Sequence, residues 1–137
     1  MRTLRTSDTL YLILKQPWFG MVSTGRKTEE YRELTPHWVR RLLASVEHVP
    51  FGEDILRPVD LPKDATQVIP ENVKQLLFSG NLAVRPFRNV NFGHGYRKGR
   101  SSVTLPIEGI TIGRGRLEWG APGDRDVFII RLGSRAK

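Results

Sequence analysis

The segment at residues 102–112, SVTLPIEGITI, constrains the fold more than any other part of the chain. Val103, Leu105 and Ile107 stand at every second position, which is typical of a strand with one buried face. The alternation resumes at Ile110 one register out, and Gly109 stands at the shift. Such a shift predicts a β-bulge, which bends a strand and increases its twist. We therefore expect a long, bent strand in a curved sheet.

Other strands are predicted on both sides of this one. Residues 10–15 (LYLILK) are rich in branched and aromatic side chains and predict a buried strand, and residues 126–132 (DVFIIRL) predict a central one. Weaker patterns predict extended segments at 28–32 and 82–92. Glycine-rich turns are expected at 93–99, 113–115 and 120–123.

Two short helices are predicted near the start of the chain. Pro17 suits the first turn of a helix that ends at Gly25. Thr35 and Pro36 form a helix start, and we expect this second helix to end near Ala44. Two short helices with curved strands predict the α+β class, as a small β-barrel with short flanking helices.

Residues 45–75 differ from the rest of the chain because four prolines interrupt any long periodicity. We expect a long connection here, with one short helix at about 71–77. The chain has 137 residues, a length typical of a single domain spanning 1–137.

Charge is the first indication of function. Lys and Arg number 22 against 14 Asp and Glu, a net charge of +8. Residues 85–116 hold seven basic residues and one acid, whereas residues 44–84 hold three basic residues and six acids. A regional basic excess favours a polyanionic partner such as nucleic acid, and the alternative is a basic surface with no specific partner.

Several classes of protein are disfavoured by composition. Cysteine is absent and the three histidines are far apart, so we expect no disulfide, no metal site and no cofactor. No apolar run reaches the roughly 18 residues of a membrane span, and the first residues lack the apolar core of a signal peptide. We expect a cytoplasmic protein that does not enter membranes.

The densest polar cluster is residues 25–33, GRKTEEYRE. Lys27 offers a positive point charge, and Glu30 can act as a general base. Arg32 can bind a phosphate or a base edge through two parallel hydrogen bonds. The alternative is an exposed strand with alternating charges and cross-strand ion pairs.

This cluster resembles the signature of the ASCH domain family, G-x-K-x-x-E-x-R, with Gly25, Lys27, Glu30 and Arg32 at its fixed positions. Residues 36–42, the FGHGY turn at 92–96 and the segments 109–122 and 128–133 are similar to later parts of a bacterial and phage branch. The resemblance covers about residues 10–43 and 90–133 and leaves out the connection between them.

The resemblance implies a PUA-like barrel that binds RNA or a modified nucleotide in a cleft lined by the signature. It also implies hydrolysis in some members, as ribonucleases or as N4-acylcytidine amidohydrolases, with Lys27 and Glu30 as the catalytic residues and Arg32 as a ligand-binding residue. Lys27 would polarise or protonate the leaving group, and Glu30 would orient water.

Two positions depart from the family pattern. Glu30 stands where the amidohydrolase branch has its nucleophilic Thr, which weakens the deacylase interpretation. His94 stands where the aromatic turn has Asn; it is either a ligand-binding residue or a turn residue that tolerates a left-handed backbone.

The turn after His94 completes the predicted site. Tyr96 could stack on a base, and Arg97, Lys98 and Arg100 could meet phosphates. The alternative is a hairpin loop with solvated charges. Trp18, Trp38 and Trp119 are expected in the core. A binding module without catalysis and a protein-interaction factor that uses residues 45–75 remain the other candidate functions.

Overall fold

The computed structural model describes residues 7–96 and 99–134. The described chain falls into two compact units. The five-stranded unit holds residues 7–31 and 86–134, and the three-stranded unit holds residues 32–85. None of the helices in these described ranges has the length and apolarity to span a membrane.

The secondary structure is mixed α+β. The strands are β1 (Thr9–Leu14), β2 (Glu29–Glu33), β3 (Leu43–Glu47), β4 (Ile55–Arg57), β5 (Leu82–Val84), β6 (Asn89–His94), β7 (Ser102–Gly113) and β8 (Val127–Leu132). The helices are α1 (Trp18–Ser23), α2 (Pro36–Leu42) and α3 (Pro70–Phe78), with a short 3-10 helix at Leu117–Trp119.

The larger sheet has the order β1-β6-β7-β8-β2 and curls into a half-barrel, which confirms a curved sheet flanked by short helices. β1 runs parallel to β6, and β6, β7 and β8 pair antiparallel in turn. The register of β7 against β8 shifts between Ile107 and Gly109, so the predicted bulge is confirmed. β8 lies inside the sheet, as its continuous apolar run predicts.

The core of the five-stranded unit follows the alternation of its strands. Leu10, Leu12 and Leu14 of β1 are buried, because every second residue of a strand faces the same side. Phe92 of β6 and Phe128 of β8 are fully buried and are the largest side chains of this core.

The smaller sheet has the order β4-β3-β5, and all its pairs are antiparallel. Helix α2 begins as predicted: the Thr35 hydroxyl accepts a hydrogen bond from the Trp38 amide at 3.4 Å, and Pro36 occupies the first turn. Helix α2 stops at Leu42, two residues before the expected end near Ala44, and Leu43 already begins β3.

Arg85 explains where α2 stops. Its Nε donates to the Leu43 carbonyl at 2.9 Å, its Nη2 to the Arg40 carbonyl at 2.5 Å and its backbone amide to the Leu42 carbonyl at 2.9 Å. A cation at the last turn satisfies carbonyls that the helix leaves open. The contact joins residues more than 40 positions apart, so no local pattern could indicate it.

The connection at 45–75 contains the predicted short helix, which begins one residue earlier than expected, at Pro70. It also contains most of β3 and the whole of β4. These strands were not predicted, because the prolines interrupt the periodicity of this segment. The extended segment predicted at 82–92 is two strands, β5 and β6, and they belong to different units.

Candidate functional site

A buried ion pair lies at the start of β2. The Lys27 ammonium is 2.8 Å from Glu30 Oε1, and the two residues are 2% and 5% exposed. They are the only charged residues of the described chain that are buried. The alternative of an exposed strand with solvated charges is therefore wrong for these two residues. A buried ion pair is costly in desolvation, which makes it a marker of a specific role.

Two aromatic rings cover the ammonium group. Lys27 Nζ lies 4.6 Å from the ring centroid of Trp18 and 5.5 Å from that of Tyr31. The negative face of an aromatic ring attracts a desolvated cation. The two rings therefore recover part of the hydration that the buried ammonium has lost.

Backbone geometry brings these groups together. Gly25, with φ of +81°, ends the turn after α1, and the Lys27 amide then donates to the Met21 carbonyl at 3.0 Å. A left-handed backbone of this kind favours glycine. The turn directs the chain back along α1, so that Lys27 meets Trp18.

The loop after β7 packs tightly on both rings. A Cβ atom at Gly115 would lie 2.6 Å from Tyr31 Cε1 and 2.6 Å from the Ala121 Cβ. A Cβ atom at Gly120 would lie 3.0 Å from the Trp18 ring. Glycine at these two positions lets the backbone approach the rings directly.

The Tyr31 hydroxyl fixes the same loop. It donates to Glu29 Oε1 at 2.8 Å and accepts from the Arg116 amide at 3.0 Å. Burial is the main reason that the pKa of Tyr31 is raised to about 12, and the neighbouring Glu29 carboxylate adds to it. A phenolate here would lose solvation and repel that carboxylate.

This pKa shift predicts a pH dependence. The folded chain holds the Tyr31 proton up to about pH 12, whereas the group ordinarily releases it near pH 10.0. The stability contributed by this difference is complete below pH 10 and is lost as the pH rises from 10 toward 12. In an absorbance titration at 295 nm, Tyr31→Phe should remove the last tyrosine transition and Tyr96→Phe should retain it. Loss of that transition in Tyr96→Phe instead would contradict the assignment.

Helix α1 also links this pair to the end of β6. Phe19 follows Trp18 in α1, and its ring stacks on His94 with centroids 4.7 Å apart and planes 13° apart. His94 is paired with Leu14 in the sheet, and its amide donates to the Ser101 carbonyl at 2.8 Å. Helix α1 therefore contacts both groups, since Phe19 stacks on His94 and Trp18 lies against the Lys27 ammonium.

Tyr96 and Arg100 lie at the same end of β6. Tyr96 is 78% exposed and follows Gly95, whose amide donates to the Leu14 carbonyl at 2.9 Å. The Arg100 side chain crosses Gly93 so closely that its Nε and Cδ occupy the space of a Cβ atom there. Arg97 and Lys98 lie outside the described residues.

Arg32 lies within β2, where the chain passes from the five-stranded unit to the three-stranded unit. Its guanidinium carbon lies 5.0 Å from the ring centroid of Trp38, and that of Arg41 lies 5.2 Å from the same ring. Burial and, to a smaller extent, the charge of Arg32 lower the pKa of Arg41.

The three tryptophans are not core residues, so that expectation is wrong. Trp18, Trp38 and Trp119 are half-buried, and each ring has a cation against it. Indole is large and amphipathic, so it can lie at a surface and hold a charged neighbour. Sequence reasoning also missed Phe19, whose only local signal is its position next to Trp18 in α1.

A polar cavity of about 520 Å³ lies beside Lys27. Thr24, Thr28, Ser134 and Glu108 are among its lining residues. Such a lining offers hydrogen bonds to a small polar group. No cluster of three or more metal-ligating His, Asp or Glu side chains occurs among residues 7–96 and 99–134.

Comparison of this chain with protein-family models, with curated proteins and with solved structures found no match.

Proposed function

We propose that this chain binds single-stranded RNA or a modified nucleotide on the five-stranded unit, as the resemblance to the ASCH family implies. The curled sheet with its short helices is compatible with a PUA-like barrel, and that fold is part of the proposal. The proposed binding surface consists of His94, Tyr96 and Arg100, at the end of β6.

The observation that carries the proposal is the end of β6. An exposed tyrosine, an imidazole stacked on Phe19 and the guanidinium of Arg100 follow one another there within seven residues. Single-stranded nucleic acid is held by aromatic platforms for its bases and cations for its phosphates. The basic excess of residues 85–116 covers this segment and attracts a polyanion.

The Lys27 and Glu30 pair is linked to this surface through α1. Through Trp18 it fixes α1, and α1 carries the Phe19 ring that stacks on His94. In this arrangement Lys27 and Glu30 are positioning residues, because Lys27 is only 2% exposed and its ammonium lies against the rings of Trp18 and Tyr31. A hydrolytic role for Lys27 and Glu30 would require a substrate to reach this nearly buried ammonium, which lies beside the polar cavity that Lys27 lines.

Tyr96→Ala is expected to weaken binding of a fluorescein-labelled ten-nucleotide single-stranded RNA about tenfold, because stacking on one base contributes about 1–3 kcal/mol. Fluorescence anisotropy at fixed salt gives the Kd. Phe78→Ala is the matched control, since Phe78 is a 90% exposed aromatic residue of the three-stranded unit. Equal losses in both variants, or none in Tyr96→Ala, would count against the proposed surface.

The same assay distinguishes phosphate contacts. If about three phosphates are held, a rise from 50 to 200 mM salt should weaken binding about 20-fold. An affinity that does not change with salt would contradict the proposal that basic side chains bind the RNA phosphates.

A separate assay addresses hydrolysis. The chain is incubated with mixed single-stranded RNA and with N4-acetylcytidine, and products are read by mass spectrometry. The control is the double variant Lys27→Met with Glu30→Gln, because it leaves no buried charge without its counter-ion. Cleaved RNA or released cytidine that is absent in the control would establish an enzyme. Salt-sensitive binding without product would establish a binding module.

A further inference from the structure

A second cavity of about 480 Å³ lies within the three-stranded unit. Its walls come from α2, β3, β5, α3 and the segment at residues 59–68. None of the residues in the proposed RNA surface lines it. Cavities of 300–1,000 Å³ are typical of sites for small molecules.

The walls of this cavity are mainly apolar. Eight of its 13 lining residues are Val, Leu or Ile. Val39, Val73 and Leu82 are buried beneath it, whereas Ile69 and Leu76 remain 62% and 40% exposed at its edge. Ile69, Val73 and Leu76 stand at helical spacing, so one face of α3 forms a continuous apolar wall. The body of a ligand that fits here is therefore apolar.

The segment at 59–68 gives the cavity a fixed side. The Arg40 guanidinium donates to the Pro62 carbonyl at 2.7 Å, and the Ala65 amide donates to the same carbonyl at 3.0 Å. The first bond ties the segment to α2, and the second forms a turn within the segment. A site that is formed before the ligand arrives loses less entropy on binding.

The only charge in the lining of the cavity is that of Asp60, which is an exposed residue. Its carboxylate forms no hydrogen bond or ion pair within the described part of the chain. Residues 44–84 hold six acids and three basic residues, opposite in sign to the chain as a whole. Gln67 and Asn72 add amide groups to the lining.

We infer that this cavity binds a small molecule with an apolar body and one primary ammonium group, which pairs with Asp60. The apolar walls supply the contact area, and the carboxylate selects the cation over a neutral or anionic molecule of the same shape. This inference is independent of RNA binding, since it concerns a different unit and the opposite charge.

The test uses three fluorescent probes of one shape: 1-naphthylmethylammonium, 1-naphthylmethanol and 1-naphthylacetate. Naphthyl anisotropy is measured against the full chain at 50 mM salt. The ammonium probe should bind with a Kd of about 1 mM or tighter. The alcohol should bind about threefold to fivefold more weakly, and the carboxylate more weakly still.

Two variants locate the site. Asp60→Asn should bring the ammonium probe to the affinity of the alcohol and leave the alcohol unchanged. Val59→Trp should fill the cavity and weaken all three probes. Binding of a probe in the cavity should also change the amide chemical shifts of Val73 and Leu82 in a nitrogen–proton NMR spectrum of the unaltered chain. This measurement locates the site even if Val59→Trp does not fold.

Three results would overturn the inference. The first is equal binding of the three probes, and the second is an ammonium preference that survives Asp60→Asn. The third is binding of an apolar basic peptide at Val73 and Leu82 with no binding of any probe, which would assign the cavity to a protein partner instead.

Discussion

Glu30→Gln is expected to lower the free energy of unfolding by about 3–5 kcal/mol, the cost of leaving a buried charge without its counter-ion. The Lys27 ammonium would keep the faces of Trp18 and Tyr31 but would have a neutral amide in place of the carboxylate 2.8 Å away. Equilibrium unfolding in urea, followed by circular dichroism, gives the value.

The chain offers a matched control for this change. Glu71 and Lys74 form an ion pair at the same i,i+3 spacing, but their side chains are 79% and 37% exposed. Glu71→Gln should change stability by less than about 0.5 kcal/mol. The double variant Lys27→Met with Glu30→Gln should regain much of the loss, because no charge is then buried. A loss for Glu30→Gln as small as that of the control would refute the buried pair.

Gly115→Ala is the second large effect, with an expected cost of about 1–3 kcal/mol. The new methyl group would lie 2.6 Å from both the Tyr31 ring and the Ala121 Cβ, so the loop or the ring must move. Movement of the loop also breaks the hydrogen bond from the Arg116 amide to the Tyr31 hydroxyl. Thermal and urea unfolding measure the loss.

Gly113→Ala is the comparison for this variant. A Cβ atom there would meet only Ile129 Cδ1 at 3.6 Å, an ordinary contact. Both variants remove the same conformational freedom from the unfolded chain. The difference between them therefore isolates the steric clash, and equal stabilities would show that Tyr31 does not pack on Gly115.

Much of the five-stranded unit could be predicted because its information is local. Alternation along β7, the apolar run of β8 and the glycine after α1 are each contained in a few neighbouring residues. The pairing of Lys27 with Glu30 could be predicted for the same reason, since the two residues are three positions apart in the sequence.

The remaining features depend on contacts between distant parts of the chain. Nothing near Trp18 in the sequence shows that Lys27 will lie on its ring, and nothing near Tyr31 shows that Gly115 will meet it. The split of 82–92 into two strands has the same origin, because β5 and β6 take their partners from different units. The RNA-binding interpretation stays a prediction.

The parallel pairing of β1 with β6 sets an order of events during synthesis. Thr9 lies opposite Asn89, so β1 has no partner until about 80 further residues have left the ribosome. The β4-β3-β5 sheet needs nothing beyond Val84 and can close while β6 is still being made. Pairing at long sequence separation is slow. We expect the three-stranded unit to fold first and the nascent β1, with three leucines exposed, to be the segment most open to aggregation or chaperone capture.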